Sequence, residues 1–420
     1  MVSQSGLGSM IQIKAQGPQN EYVNGSPSMT PFIHIYKRYY NFARYERSIP
    51  LNAATFGKKV IFNIEPDAHG DLLSEIIFTV EPNTLTDTIN LWYVDNLGQA
   101  LIEKVELKIG ELTIDTITSE WLQMYDNLYM DNSKYEAMKW ITWQGQPINE
   151  AGVDGSNFNR LTIWVPLRLF FDRKKTDMLP LCALPHQPIQ LIITFREGYQ
   201  LVNTSAIDGN IYGTGSYGWR WPRLIFTEYI IDENLRQYFM NNPLNYLIKS
   251  TRPAPVPTFE DSTNNFTDTT KFKYYPDTNA TVSLFTWALR SNVATSANTV
   301  IGTGNDYFNY SNTMIRTGVF MNDRWVDELQ IGDREYWRYL QPLMYLPAAP
   351  RSEIYNWSLG IKNDPTISQE WGGIDFARIK GRQFFFEIET SETNLELLMF
   401  MTTTNYMEIA DGVIKSYFIS

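Results

Sequence analysis

The side chains best able to bind a metal ion or exchange protons are few in this sequence and lie far apart. The three histidines, His34, His69 and His186, lack the H-x-H or H-E-x-x-H spacing that brings two imidazoles to one metal ion. Asp172 and Asp177 could act as the acid and base of a glycosidase, but a solvated turn is the simpler interpretation. The sequence therefore predicts no metal site and no acid-base pair.

Two further segments invite a chemical interpretation. The glycine-rich stretch Gly209–Gly218 resembles a phosphate loop, but it lacks the Gly-Lys-Ser/Thr ending and a strand-to-helix context, so a flexible loop is predicted. The single cysteine, Cys182, excludes an internal disulfide, and its apolar neighbours Leu181 and Leu184 are typical of an inert buried thiol. We therefore predict no catalytic, cofactor-binding or metal-binding residue, no cofactor, and a protein that is not an enzyme.

Charge and composition narrow the class of protein. The formal net charge is -11 and the pI is near 4.9, which argues against direct nucleic-acid binding because contacts to phosphates need clustered lysine and arginine. The closest approach to a basic patch is 173–175. No apolar run reaches the roughly 18 residues of a membrane-spanning helix, and residues 1–15 do not resemble a signal peptide. We expect a protein that is made and used in the cytosol.

The elements that would position any functional side chain are mostly strands. Apolar and polar residues alternate in many short segments, and aromatic residues, which favour strands, make up 14% of the chain. The candidate strands are Lys59–Ile64, Glu75–Val80, Ile102–Ile109, Leu161–Phe171, Ile189–Phe195, Arg223–Ile231, Tyr246–Lys249, Val282–Arg290, Trp325–Ile331, Ile354–Ile361, Gln383–Glu389 and Leu395–Thr402. In the strand at 383–389 the aromatic run is expected to be largely buried, Phe385 included.

Helical patterns are few, and two of them belong to an apparent repeat. The pentapeptide at 106–110 is echoed at 328–332, and each copy precedes an aromatic segment with helical spacing. In the first copy Ser119 is the expected N-cap, and in the second Pro342 is expected to end the helix. A third helix is predicted from Asp232 to Phe239, closed near Pro243.

A repeat period near half the chain predicts two tandem domains. We place an N-terminal arm without regular structure at 1–30, the first domain at 31–241 and the second at 242–420. Many short strands in each half indicate an all-β sandwich or jelly roll. Long polar insertions at about 197–221, 250–276 and 291–314 are expected to form exposed functional surfaces.

Several motifs resemble, in the same order, those of the major capsid proteins of nucleocytoplasmic large DNA viruses and of related viruses such as polinton-like viruses and virophages. The segments that carry the resemblance are Tyr36-Lys37-Arg38-Tyr39-Tyr40-Asn41-Phe42, Phe56-Gly57-Lys58, Val165-Pro166-Leu167-Arg168-Leu169-Phe170-Phe171-Asp172-Arg173, Leu179-Pro180-Leu181-Cys182-Ala183-Leu184, Tyr355-Asn356-Trp357-Ser358-Leu359 and Asp375-Phe376-Ala377-Arg378-Ile379. The ending at 411–417 departs from the glycine-rich endings of the large icosahedral viruses, which leaves the virus group open.

The resemblance implies a double jelly roll, two tandem eight-stranded antiparallel sandwiches with a few short helices. It further implies a homotrimer that forms a pseudo-hexagonal capsomer and tiles the icosahedral shell of a double-stranded DNA virus. Expected partners are neighbouring capsomers, minor capsid or cement proteins and, through the arm at 1–30, an internal membrane. The implied location is the virion, assembled in the host cytoplasm or in a cytoplasmic viral factory.

Two alternatives belong to other classes. A β-sandwich glycan-binding or polysaccharide-active protein would use exposed aromatic rings, for which the candidates are Trp140, Trp143, Trp219 and Trp221. A minor capsid or vertex protein with a related fold is the third interpretation, and it is less favoured because such proteins typically contain a single jelly roll.

Overall fold

The computed structural model of the chain describes residues 11, 17–30, 32–34, 36–83, 91–143, 162–204, 218–254, 271–276, 278–291, 306–326, 332–367, 371–389 and 395–416. The chain divides into two compact units, Met1–Asn41 and Phe42–Ser420. Within the first, helix α1 (Pro18–Asn24) begins with proline and closes at Gly25, whose N–H donates to Glu21 O over 2.7 Å. The arm was therefore wrongly predicted to lack regular structure throughout, and the missed signal is the pairing of an initial proline with a terminal glycine.

The first half of the larger unit contains two main antiparallel sheets, one of five strands including the short strand Leu179–Pro180 and one of four, besides a two-stranded sheet of Leu91–Tyr93 and Val202–Thr204. In chain order the main strands are β1 (Phe42–Pro50), β2 (Lys59–Ile64), β3 (Leu72–Pro82), β4 (Ile102–Ile109), β5 (Leu112–Thr118), β6 (Ile163–Pro166), β7 (Ile189–Phe195) and β8 (Trp219–Ile231). One sheet has the order β1-β8-β3-β6 and the other the order β2-β7-β4-β5. Apolar side chains of the two inner faces form one core, as expected for a sandwich.

The second half repeats this arrangement. Its main strands are β9 (Leu244–Pro253), β10 (Lys271–Tyr274), β11 (Thr281–Ser291), β12 (Met314–Met321), β13 (Arg324–Trp325), β14 (Tyr355–Ser358), β15 (Gln383–Ile388) and β16 (Leu395–Ala410). The sheet orders are β9-β16-β11-β14 and β10-β15-β12-β13, so adding eight to each strand number of the first half gives the second. The described residues thus form two jelly rolls of the same topology, as the resemblance implied, called the first and second roll below.

A shared β-bulge aligns the two rolls residue by residue. Between β3 and β8 the pairing moves from Glu75↔Thr227 to Leu73↔Glu228 and skips Ser74. Between β11 and β16 it moves from Leu284↔Thr402 to Val282↔Thr403 and skips Ser283. Both skipped residues are fully buried serines on the third strand of their roll. Bulges are stable features of a fold, so this one is a better register mark than any sequence match.

The repeated pentapeptide, by contrast, does not mark equivalent positions. Gly110 has a φ of +62° in the turn between β4 and β5. Gly332 does not lie in the corresponding turn of the second roll, which joins β12 to β13. It follows β13 in the chain and pairs with Thr317 of β12. That turn is formed by Asn322 and Asp323, both in the left-handed region, as a two-residue hairpin requires. The duplication is real, but the five-residue match that suggested it is a coincidence; its part at 328–331 lies outside the described residues.

Three of the helices of the larger unit were predicted, with two corrections, whereas Leu97–Leu101 and Asn132–Thr142 were not predicted. The helices of this unit are α2 (Leu97–Leu101), α3 (Ser119–Tyr129), α4 (Asn132–Thr142), α5 (Glu233–Asn241) and α6 (Gln341–Tyr345). The N-cap of α3 is Thr118, whose hydroxyl accepts from Trp121 N over 3.4 Å, and not Ser119. Pro342 does not end its helix, because a π-helical turn at Tyr336–Leu340 precedes it and the helix continues through α6 to Tyr345.

Several predicted strands have other limits. The segment 161–171 contributes only β6, and 354–361 only β14, while β16 continues eight residues beyond the predicted 402. Residues 327–331 of another candidate lie outside the described part. Within β15, Phe384 and Phe386 are fully buried, whereas Phe385 is only partly buried because strand side chains alternate between faces. Among the described residues, no helix is long and apolar enough to cross a membrane.

Candidate functional site

The residues considered for catalysis are not brought together. His34 and His186 are exposed while His69 is buried, and the described residues contain no group of three or more potential ligands for a metal ion. Asp177 pairs with Lys174 at 2.6 Å, and Asp172 accepts from Arg168 N over 3.1 Å. Each carboxylate thus has its own structural partner.

The other candidate sites also have structural explanations. Cys182 is a free thiol, and burial raises its pKa to about 11, so it is protonated at neutral pH and a poor nucleophile. Trp143 is buried in the first core, and the ring of Trp219 packs against that of Phe56 with 4.1 Å between the centroids and 43° between the planes, whereas Trp140 and Trp221 are exposed. The four tryptophans therefore do not form one exposed platform. Residues 209–217 of the glycine-rich stretch lie outside the described residues.

The most extensive feature outside the two cores is the contact between the two rolls. We call it the seam, formed by α3 and β5 of the first roll and by β9, β11 and β16 of the second. The rings of Trp121 on α3 and Phe400 on β16 lie 5.6 Å apart. Leu284 and Ala288 on β11 pack in the same apolar cluster as the core of the first roll. The outer face of the β9-β16-β11-β14 sheet is thereby covered.

Strand β16 shows how the seam is encoded. Leu397, Met399 and Met401 point into the core of the second roll, while Phe400, which lies between two of them, packs against the first roll. A strand that is apolar on both faces must be buried on both. The run Leu397–Met401 is therefore a sequence signal for an additional layer on this sheet.

A buried ionic network crosses the seam. Arg290 on β11 binds Glu120 on α3 at 3.2 Å and Glu396 on β16 at 2.9 Å, and Arg196 of the first roll binds the same Glu120 oxygen at 3.1 Å. Burial raises the pKa of Glu120, but Arg196 and Arg290 outweigh it, so the pKa lies below its ordinary value. Arg196 also lies over the ring of Tyr307 at 4.1 Å.

A second polar contact lies beside β5. The guanidinium of Arg173 is 3.4 Å from Asp115 and also donates to the backbone carbonyl of Lys249 in the second roll. Ser250 Oγ approaches the same carboxylate at 3.5 Å. Burial raises the pKa of Asp115 and outweighs the attraction of Arg173. Arg173 belongs to a motif that carries the family resemblance, and its position links one roll to the other.

The segment predicted as an outward-facing loop at 291–314 also enters the seam at its end. Tyr307, Phe308 and Tyr310 are buried, and Tyr310 Oη donates to Gln123 Oε1 on α3 over 3.1 Å. The prediction of an exposed surface is wrong for these three residues, because their rings supply the apolar area that the seam needs. The same prediction is wrong for the buried residues Leu201, Val202, Ser250 and Thr251 of the other two insertions. Residues 205–217, 255–270 and 292–305 lie outside the described part.

Sequence reasoning also missed a buried polar cluster in the first roll. Glu228 on β8 is fully buried and accepts hydrogen bonds from Tyr45 Oη and, over 2.8 Å, from Gly70 N, while His69 Nδ1 lies against its other oxygen. Burial alone would raise the pKa of Glu228, but these hydrogen bonds outweigh it, so the pKa lies below its ordinary value. The sequence did contain a signal for this cluster. Glu228 stands two residues after Phe226, so the alternation of β8 turns a glutamate toward the interior, where it needs hydrogen-bond partners.

Comparison with known proteins agrees with this architecture. Residues 30–215 match the family described as major capsid protein N-terminus. The chain is 30% identical over 279 residues to the major capsid protein of Paramecium bursaria Chlorella virus 1, which covers 63% of this chain and 59% of that protein. With the major capsid protein of Invertebrate iridescent virus 3 the identity is 24% over 397 residues, 85% of this chain and 83% of that protein. The chain spans about half the length of the first curated relatives that it matches.

Solved capsid structures share the fold. The PBCV-1 virus capsid chain superposes with a TM-score of 0.71 at 19% identity, covering 93% of this chain and all of that one. The Faustovirus major capsid protein gives 0.68 at 10% identity, with 97% of each chain covered. The chain is therefore similar in sequence, over residues 30–215, to the major capsid protein N-terminus, and it shares its fold over nearly its whole length with the PBCV-1 and Faustovirus capsid proteins.

Proposed function

We propose that the chain is a structural major capsid protein without enzymatic activity, and that three copies form a pseudo-hexagonal capsomer of an icosahedral double-stranded DNA virus. The observation that carries the proposal is the pair of rolls with one topology, held side by side by a buried seam. Three such chains would present six similar edges, and a closed ring of subunits limits uncontrolled growth. The names of the relatives point the same way.

The finer partners and locations are part of the same proposal. Neighbouring capsomers would contact the edges of the tile, and minor capsid or cement proteins would fill the joints between tiles. The N-terminal arm would reach the inner side of the shell, near an internal membrane. No direct contact with the genome is proposed, in keeping with the net charge of -11. The protein would reside in the virion after assembly in the host cytoplasm or a viral factory.

Light scattering and negative-stain microscopy of the purified protein test the proposal together. We expect a particle with the mass of three 48.7 kDa chains and hexagonal outlines in the images. A monomer at micromolar concentration, with no hexagonal particles, would contradict it. A monomeric sandwich would instead favour the glycan-binding alternative.

A further inference from the structure

We propose that copies of this chain pack head to tail, with the helix at 334–345 of one copy lying on the outer face of the β1-β8-β3-β6 sheet of the next copy. We call this helix, which includes the π-helical turn and α6, the second-roll helix. The inference rests on the proposed capsomer and names the two surfaces that would join its subunits.

The first observation is an asymmetry between two equivalent helices. In each roll a helix follows the fifth strand. In the first roll this is α3, which is buried almost throughout, by Gln99 and Arg168 of its own roll and by the second roll. The second-roll helix instead exposes an apolar stripe: Leu340, Leu343 and Met344 have exposed fractions of 44%, 77% and 59%. Their i, i+3, i+4 spacing puts them on one face. Among the described residues, nothing covers this face as the second roll covers α3.

The second observation locates the surface that would supply the cover. The shared bulge makes Thr227 equivalent to Thr402, and two residues earlier along each strand it makes Ile225 equivalent to Phe400. Phe400 is the residue that contacts α3 in the seam. By this alignment, Ile225 is the centre of the sheet face on which a second helix of the same kind would lie.

The face around Ile225 has the character of an interface. Ile225 is only partly buried and pairs with Ile77 on β3, and in the next row of the same face Trp164 retains 38% exposure. On one side of this centre the charges are paired locally, Arg44 with Glu46 and Lys175 with Glu75. On the other side Arg223 shares a row with Trp164 and lies 6.0 Å from the ring of Trp221. An apolar centre with charges at its border can be covered while those charges stay at the solvent-exposed rim of the contact.

The surface around the second-roll helix likewise has apolar side chains at its centre and charges at its border. The groove beside the stripe has a volume of about 620 Å3, and its lining includes Tyr336, Tyr339 and Leu343. Arg316 and Asp333 at its border pair with each other at 3.1 Å. Within one chain, α3 packs on the outer sheet face of the second roll. The second-roll helix and the outer sheet face of the first roll are the equivalent surfaces for the same kind of contact between two chains. A contact between two different surfaces of one chain joins copies head to tail and can close into a ring, which identifies a second copy as the occupant.

Substitution of the stripe tests the assignment. Leu343→Asp introduces a charge at a largely exposed position, so the fold should be retained, and this is checked by circular dichroism and thermal melting. The matched control is Ile61→Asp, also exposed (55%) but on β2, in the other sheet of the first roll. By light scattering we expect the control and the parent to have the mass of a trimer and Leu343→Asp to have the mass of a monomer at micromolar concentration. A folded Leu343→Asp protein that remains trimeric would overturn the assignment.

Cysteine cross-linking provides a test that does not depend on a destabilising charge. Chains carrying Leu343→Cys and chains carrying Ile225→Cys are co-expressed and treated with a short bis-maleimide, with the parent, which has only Cys182, as control. We expect covalent dimers of one chain type with the other and none in the parent. Trimers that yield no such dimers would refute these surfaces but leave the capsomer standing. A monomeric parent would refute the capsomer itself.

Discussion

Removal of the guanidinium at the centre of the seam is the most direct test of what holds the two rolls together. Arg290 is 6% exposed and contacts Glu120 of the first roll and Glu396 of its own roll. Arg290→Met preserves much of the side-chain volume but deletes both ion pairs and the hydrogen bond to Tyr307 O. The two rolls then lose their buried ionic link while the apolar contacts remain.

The size of the effect depends on the interactions that Glu120 and Glu396 retain after Arg290 is replaced. Breaking a buried pair by removal of one partner costs about 3–5 kcal/mol, because an uncompensated charge remains. Glu120 retains Arg196 at 3.1 Å, and Glu396 is 39% exposed and can be solvated. We therefore expect the free energy of unfolding to fall by about 3 kcal/mol, the low end of this range. For a cooperative unit of about 200 residues this corresponds to a melting temperature lower by roughly 6–12 °C.

The assay is thermal unfolding at a fixed protein concentration, since association also shifts the melting temperature. The matched control is Arg378→Met, whose arginine is 88% exposed and pairs with Asp375 at 3.2 Å. An exposed pair of this kind contributes about 0–1 kcal/mol. Equal shifts for the two variants would refute the view that the seam network stabilises the chain.

Acid titration gives the same experiment a second readout. The pKa of Glu120 lies below its ordinary value, so this carboxylate contributes stability at neutral pH that is lost as the pH falls through the lowered value. Arg290→Met should bring the pKa back toward its ordinary value. The stability that the parent loses between pH 7 and pH 3 should therefore be greater than the loss in the variant. An identical pH dependence would show that Arg290 does not lower this pKa.

Three further predictions concern the framework. Phe386→Ala should cost about 3–5 kcal/mol, since its ring is fully buried, and Phe385→Ala should cost less than half as much; similar melting temperatures would contradict the observed strand face. Burial raises the pKa of Asp172 to about 6, so its ionised form is penalised above that pH. Asp172→Asn should raise stability at pH 8 by at most about 3 kcal/mol and change little near pH 4, which melts at both values would check. A short tag within 261–265 should leave the elution volume on size exclusion unchanged, whereas the same tag after Leu191, a fully buried residue of β7, should abolish folding by shifting the strand register; folding of the second insertion would contradict this.

Strands were the most predictable part of the fold because their evidence is local. The limits of β2, β4 and β7 coincide with the predicted ones. Apolar residues occupy every second position in each, except at Glu103–Lys104 of β4, where the pairing register shifts. Strand β1 was not predicted, since its residues are partly or fully exposed and its sequence has no apolar alternation. Local periodicity reports burial, and an edge strand held by ladder hydrogen bonds to one neighbour does not display it.

Other errors arose where distant residues decide the outcome. Phe385 was expected in the core because its neighbours are aromatic, yet the face that it occupies is set by pairing with β10 and β12. The helix around Pro342 continues because the preceding turn widens to a π-helix, which no propensity scale encodes. The repeated pentapeptide misplaced the register of the duplication, which became visible only through the bulges at Ser74 and Ser283.

The two outer sheet faces show why the seam was encoded in the sequence more plainly than the proposed subunit contact. In the second roll the covered face carries Phe400 and Leu284, and its cover is part of the same chain. In the first roll the equivalent face has Ile225 among polar and charged neighbours. A surface that must remain soluble until another chain arrives cannot be as apolar as one that is covered during folding. A mixed composition at Ile225 is therefore what a face covered only on assembly requires, and the apolar run in β16 is what a permanent interface requires.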